Sequence, residues 1–340
     1  MPEREGLIGN KDKEKFAQAG FKGNLQTPEG SVNLFTEFDD RKVDLLTNIA
    51  DLSGIVPGLI VGQSKVENSA SLILIESDTK SLRFDEETTS VILMGSKDDF
   101  IDGQAVLWTS YWLMEAQRQE KSLFTLHSSA LTIDGKGVLL LGHSGAGKTS
   151  VMLDLCRKYN GQVVSNDLTV VSHNSASGDI NLINGTKDLR LRLSTVLRNF
   201  PDLADLFHGT NGSAWEDKIS VNPEQIGLVS ALEPNKLDAI FEIHLDSKEQ
   251  DPLLVEKDDG IPFLYRLYED MSRIVRGSAI SVFSKEAKFL GYMPSLDTED
   301  KHNRRVDCIN QMVKKSGIMS VSGGNLGQVS KTIHDILNAS

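Results

Sequence analysis

The segment Gly142-His143-Ser144-Gly145-Ala146-Gly147-Lys148-Thr149 has the spacing G-x-x-x-x-G-K-[ST]. Anionic phosphates are held by backbone N–H groups at a helix N-terminus, and glycine lets the backbone wrap close to them. Gly142, Gly145 and Gly147 supply that freedom. Lys148 is placed to reach β- and γ-phosphates and the Thr149 hydroxyl to ligate Mg²⁺. ATP and Mg²⁺ are therefore the expected cofactors, with nucleotide contacts running from Gly142 through Ala146 to Ser150. Such a loop also needs a carboxylate that holds the metal or serves the nucleophile. Asp167, in Ser165-Asn166-Asp167-Leu168, is the leading candidate for both roles, although a strand-end Asp is often only a turn residue.

The loop must sit between a strand and a helix, and both are legible. Gly137–Leu141 reads as a strand running into it, and a helix extends from Gly147 to about Tyr159, ended by Gly161. Upstream, Leu123–Ile133 reads as one extended run, and Asp134-Gly135 predicts a tight hairpin. That turn leaves no room for a crossover helix, so the loop-bearing strand has an antiparallel partner. The hairpin returns His127 and Ser128 to the loop end of the sheet, bringing an imidazole to the phosphates. A strand at Gln162–Ser165 delivers Asp167 to the same edge, and a β-rich stretch follows at Leu168–Val171. Stabilising a transferring phosphoryl group takes further cations. Arg190, Arg192, Arg273 and Arg276 are candidates, with Arg276, before Gly277 at the end of an amphipathic helix, preferred and Lys218 weaker.

Farther from the loop, Val43–Leu52, Gln104–Arg118, Pro262–Val275, Arg304–Lys315 and Leu326–Leu337 read as helices. Strands are expected at Ser71–Ile75, Ser90–Met94, Asp179–Ile183 and Lys236–Leu245. Trp108 and Trp112, at i and i+4, fit a large aromatic core helix better than a base-stacking platform. The expected organisation is a mobile tail over residues 1–30, a smaller β-rich α/β region over 31–120, and a loop-bearing domain over 121–340.

The net charge of −12 argues against a nucleic-acid partner. No apolar run approaches the roughly 20 residues of a membrane span, and the N-terminus has no secretory core, so the expectation is a cytoplasmic protein without a membrane partner. Cys156 and Cys308 lack metal-ligand spacing, which fits a reducing compartment. A homo-oligomer is compatible with the sequence.

Leu126-His127-Ser128-Ser129-Ala130, the hairpin, the glycine-rich loop and Ser165-Asn166-Asp167 together resemble the catalytic domain of HPr kinase/phosphorylase, a mixed-sheet P-loop kinase core of the PEP-carboxykinase-like fold class. The resemblance is specific over roughly Leu123–Val171. It implies Mg²⁺-assisted transfer of the γ-phosphoryl of ATP to a hydroxyl, on a peptide or protein Ser/Thr or on a small alcohol. By position it gives Lys148 and Thr149 to nucleotide and metal, puts His127 near the γ-phosphate and acceptor, and matches Asp167 to one of two adjacent aspartates. The chain departs from the family pattern at Asn166, which replaces the other aspartate, and at Ser150, where an acidic residue is common. The arginine-containing signature of the reverse, phosphorolytic reaction has no clear counterpart near Asn184-Gly185-Thr186, so kinase activity without phosphorylase activity is expected. The missing second aspartate keeps an alternative open: an ATP-binding regulatory or sensor module with little phosphotransfer.

Overall fold

The structure is a computed structural model and describes residues 18–38, 45–208, 217–245, 253–257, 260–278 and 293–339. The described residues form two compact units, drawn from 1–121 with 271–304 and from 122–270 with 305–340.

The first unit is built on a six-stranded sheet. Its strands are β1 (Gly20–Gln26), β2 (Ser31–Thr36), β3 (Ile60–Gly62), β4 (Ala70–Glu76), β5 (Ser81–Asp85) and β6 (Ser90–Gly95), in the order β3-β1-β2-β4-β6-β5. Helices α1 (Leu45–Asp51) and α2 (Gln104–Glu120) accompany them. β4 runs parallel to both β2 and β6, and its Leu72-Ile73-Leu74-Ile75 run is buried throughout, as a strand covered on both faces requires. In α2, Trp112 is fully buried and meets Phe84 edge-on with ring centroids 5.5 Å apart, so this ring is core. The tail expected to reach residue 30 is shorter than that, because Gly20–Gln26 pairs with β2 and β3 and buries Leu25. Residues 1–17 lie outside the described residues. Nor does the boundary expected near residue 120 divide the chain once and for all, since 271–304 also belongs to this unit.

The second unit carries the glycine-rich loop. Its first strands are β7 (Leu123–Leu126), β8 (Ser129–Ile133) and β9 (Lys136–Leu141), followed by helix α3 (Lys148–Tyr159). Next come β10 (Gln162–Ser165), β11 (Thr169–Asn174), β12 (Asp179–Gly185), β13 (Leu189–Arg192), α4 (Leu193–Asn199) and β14 (Lys218–Val221). The chain continues through β15 (Val229–Ser230), β16 (Asn235–Leu245), β17 (Leu254–Lys257), α5 (Ile261–Ser272), α6 (Glu299–Ser316), β18 (Met319–Gly323) and α7 (Leu326–Ala339), with the end of α5 from Met271 and the start of α6 through Arg304 falling in the first unit. The main sheet is mixed, in the order β15-β10-β8-β9-β16-β12-β11-β7, with β18 joined to β16 and β17 to β18. β13 and β14 form a separate two-stranded ribbon.

Two residues make the β8–β9 turn. Asp134 (φ 51°) and Gly135 (φ 79°) both take positive φ, and Ile133 pairs with Lys136 across it. β9 then lies between antiparallel β8 and parallel β16. Val151, Met152 and Leu155 of α3 pack with Val329 and Ile333 of α7 against Leu140 and Phe241 of the sheet. The run Leu123–Ile133, expected as one strand, is two. β7 pairs with β11, whereas β8 pairs with β9 and β10, and the chain changes partners at His127-Ser128. There the Ser128 N–H donates to the Asp167 carbonyl at 3.1 Å instead of entering a ladder. Among the described residues no helix is long and apolar enough to cross a membrane.

Candidate active site

Three sheet-edge features meet at the carboxyl end of β9: the loop, the His127 break and the turn after β10. Glycine is required in the loop for two different reasons. Gly147 has φ +96°, and a Cβ there would lie 2.7 Å from the Leu245 Cβ, so only glycine lets the loop press against the end of β16. Gly145 has φ +85°, a left-handed conformation that favours glycine, and it lines the cleft with no atom within 4 Å of where a Cβ would lie. Lys148 folds back over the loop, its Nζ donating to the carbonyls of Gly142 (2.7 Å) and His143 (3.2 Å). This holds an ammonium at the loop mouth.

The cleft is a cavity of about 230 Å³, and His127, Lys148, Thr149, Ser150 and Asp167 all line it. His127 and Asp167 are in direct contact, with Nε2 3.1 Å from Oδ1. The neighbouring backbone fixes both. Asp167 sits at φ +74°, a left-handed conformation tolerated by Asp and Asn better than by most residues, while its carbonyl accepts from Ser128. The His127 N–H donates to Asp270 Oδ2 of α5 at 2.5 Å. Beneath the break, Ser128 Oγ donates to Thr169 Oγ1 at 2.7 Å, and that hydroxyl also meets Ser165 Oγ at 2.6 Å. A buried chain of hydroxyls thus ties the histidine's turn to β10 and β11. The Asp167 carboxyl is held below its ordinary value, chiefly by the hydrogen bond from His127 and, despite partial burial, by the nearby charges of His127, Arg190 and Lys148. Arg190 Nη1 lies 3.9 Å from Asp167 Oδ2.

Asn166 is buried, with both ends of its amide engaged. Its Oδ1 accepts from Thr149 Oγ1 (2.8 Å) and from Ser129 Oγ (3.1 Å), and its Nδ2 donates to the Asp188 carbonyl (3.2 Å). The Asp188 carbonyl demands a donor, so the amide orientation is fixed and the oxygen faces the hydroxyls. Because Thr149 spends its proton on Asn166, its lone pairs are left toward the cavity, where a metal ligand needs them. Among the described residues no three His, Cys, Asp or Glu side chains cluster as a metal cage. A hydroxyl and one carboxylate beside a phosphate loop suit Mg²⁺, which keeps waters and phosphate oxygens as its other ligands. The residues therefore fit a nucleotide–Mg²⁺ complex: Gly145 leaves room, Lys148 supplies charge, and Thr149 and Asp167 supply oxygen.

Of the other cations singled out in the sequence, Arg190, Arg192 and Lys218 also line the cavity. Arg273 and Arg276 belong to the first unit, where Arg276 Nε donates to Asp297 Oδ2 at 3.0 Å; neither is among the lining residues. Sequence reasoning missed Asp270 and Ser129. Ser129 carried a weak signal, lying two residues after His127 on the strand leading into the hairpin. Asp270 carried none, since it is 143 positions from the backbone amide it caps.

No family model matches the chain. It is similar to a protein named HPr kinase/phosphorylase from Chlorobaculum tepidum, with 30% identity over 129 residues, 36% of this chain and 37% of that one. The chain thus matches little more than a third of that relative's length. A solved structure titled as the Hpr(Ser) kinase/phosphatase from Coxiella burnetii aligns over 39% of this chain and 76% of its own, with 18% identity and a TM-score of 0.25.

Proposed function

We propose that this protein is an ATP-dependent kinase that transfers the γ-phosphoryl group to a hydroxyl, assisted by Mg²⁺ and without phosphorylase activity. The observation that carries the reading is the 3.1 Å His127–Asp167 pair in the same cavity as Lys148 and Thr149. The name of the relative from Chlorobaculum tepidum supports the kinase half. Mg²⁺, when bound, would neutralise charge on the phosphates. Phosphoryl transfer is loose and asks mainly for positioning and charge stabilisation, so a carboxylate with a lowered pKa serves well as an orienting acceptor. Asp167 receives the acceptor's O–H, and His127 steadies the carboxylate from its other side. The acceptor oxygen bonds to Pγ as the bond from Pγ to the bridging oxygen breaks, the electron pair leaving with ADP and the acceptor proton passing to Asp167. Lys148 and Arg190 offset the charge spread over the transferring group.

A regulatory ATP-binding module is the second reading, and Asn166 favours it because only one carboxylate of the adjacent pair is present. The test is incubation of the full chain with γ-labelled ATP, Mg²⁺ and pools of peptides and metabolites, with mass detection of phosphate addition. A labelled acceptor supports the kinase. Tight ATP binding with no labelled acceptor in any pool supports the module instead.

A further inference from the structure

Two backbone amides at the strand break have no ladder to enter. β7 ends its pairing at Leu126 and β8 begins at Ser129, so the N–H groups of His127 and Ser128 need acceptors elsewhere. Ser128 uses a neutral acceptor, the Asp167 carbonyl, whereas His127 uses a carboxylate, Asp270 Oδ2, at 2.5 Å. The charged acceptor makes the stronger bond. Helix formation does not account for an acid at that position. Asp270 lies in the last turn of α5, where the partial negative charge of the helix end disfavours a carboxylate. The apolar seat of the helix is made by Phe263 and Leu267, both buried. One turn before Asp270, Arg266 stands on the same face, since residues four apart on a helix lie one above the other. Its Nη2 is 2.5 Å from Glu242 Oε1 and its Nη1 is 3.4 Å from His143 Nε2. Glu242 is in register with Leu141, the residue before the glycine-rich loop, and His143 is the second residue of the loop. One helix face thus touches the root of the loop through Arg266 and the His127 break through Asp270, about 6 Å farther along the axis.

Resting on the kinase reading, we infer that Asp270 is a positioning residue for phosphoryl transfer: from a helix anchored at the loop by Arg266, it holds the His127 backbone where the imidazole meets Asp167. Asp270 is not among the residues that line the cavity, so it acts on the reaction through His127. Without its carboxylate the peptide group before His127 can turn, and the ring turns with it. A misplacement of about 1 Å in a reacting geometry costs up to about 10²-fold in rate. The glycine-rich loop keeps its own contacts, including those of Lys148 and Arg266, so nucleotide binding is left in place. The helix therefore sets the spacing between the segment that holds the phosphates and the pair that meets the acceptor.

The test compares Asp270→Ala, Asp270→Asn and Asp270→Glu in the full chain. Asparagine keeps an acceptor oxygen at the same reach without the charge, and glutamate keeps the charge but carries the oxygen one methylene farther out. Two quantities are measured: steady-state transfer from ATP and Mg²⁺ to the acceptor found in the pools, and the carbon-detected titration of the Asp167 carboxyl, which the His127 hydrogen bond holds low. Asp270→Ala and Asp270→Glu should lower kcat about tenfold or more, with KM for ATP changed less than about twofold, and should raise the Asp167 titration. Asp270→Asn should restore most of both, because its amide oxygen accepts the same N–H. An unmoved Asp167 titration in Asp270→Ala, a kcat within about twofold of the unchanged protein, a KM for ATP that rises as much as kcat falls, or an asparagine variant no better than alanine would each overturn the inference. Should Asp270→Ala fail to fold, the contrast between asparagine and glutamate decides the same question. If the unchanged protein phosphorylates no acceptor, the kinase reading fails on its own, and the Asp167 titration alone decides whether Asp270 positions His127.

Discussion

Replacing Asn166 with alanine removes one acceptor shared by two hydroxyls and one donor to a carbonyl. The three consequences differ in size. Ser129 is fully buried, so its hydroxyl loses its amide acceptor in a poorly solvated position, at about 1–3 kcal/mol. The Asp188 carbonyl loses a donor at about 1 kcal/mol. Thr149 borders the cavity and recovers its bond from water, so its contribution is close to zero. The expected loss for the loop-bearing unit is about 2–4 kcal/mol. With two units in the chain a single unfolding midpoint is not a clean measure. The appropriate assay is hydrogen exchange by mass spectrometry on peptides from β8 and β9, whose slowest amides report opening of that unit. Adding Ser129→Ala to Asn166→Ala should recover about 1 kcal/mol or more, because the stranded hydroxyl is gone. A loss below about 0.5 kcal/mol, or strict additivity of the two changes, would refute the shared-hub role of Asn166.

Gly147→Ala forces a side chain into a left-handed position 2.7 Å from Leu245 Cβ. It should cost about 1–3 kcal/mol of strain and weaken ATP binding about tenfold or more, measured by calorimetry; unchanged affinity would contradict the loop geometry. His127→Ala should raise the Asp167 pKa, since the largest influence lowering it is removed while burial, which raises it, remains. The sign follows for stability as well. A depressed carboxyl pKa stabilises above the unfolded value of 3.8 and is lost as pH falls through the folded value, so the variant should lose that acid-side stabilisation at a higher pH. Carbon-detected titration of the carboxyl checks the shift, and a downward move counts against it. Burial pushes the Cys156 thiol up to about 12 and raises Cys308 further, so neither should react with a thiol reagent at pH 8 until the protein is unfolded. Labelling of the folded protein at the rate of a free thiol would contradict this.

The parts of the site that lie close in sequence were legible there. The loop, its strand and helix, and the Asp134-Gly135 turn are set by local chemistry, and Asp167 lies eighteen residues beyond Thr149, with a helix and a strand between to bring it back. What escaped was decided by distant partners. Leu123–Ile133 has unbroken β character, and nothing local says that Leu126 pairs with Thr169 while Ser129 pairs with Leu140. The break nonetheless matters, because it turns His127 out of the sheet. β1 contains two glycines and only two large apolar residues in seven, and becomes a strand through β2 and β3. The β13–β14 ribbon joins segments that face each other only after the fold forms, so the sequence offers Arg192 and Lys218 as separate candidate cations and prefers Arg276 over both. In the sequence Asn166 is a departure from the family pattern; in three dimensions it is the group that orients Thr149.

The central claim is that the Asp167 carboxylate serves phosphoryl transfer, beyond the share it takes with Thr149 in holding Mg²⁺. Asp167→Asn is the direct test, because asparagine keeps the shape and tolerates the φ of +74°. ATP affinity by calorimetry and transfer of labelled γ-phosphate to the acceptor identified from the pools are measured on the same preparations. The account predicts ATP affinity within a fewfold of the unchanged protein and transfer reduced about 10²-fold or more. Transfer at an undiminished rate, with ATP bound normally, would contradict it.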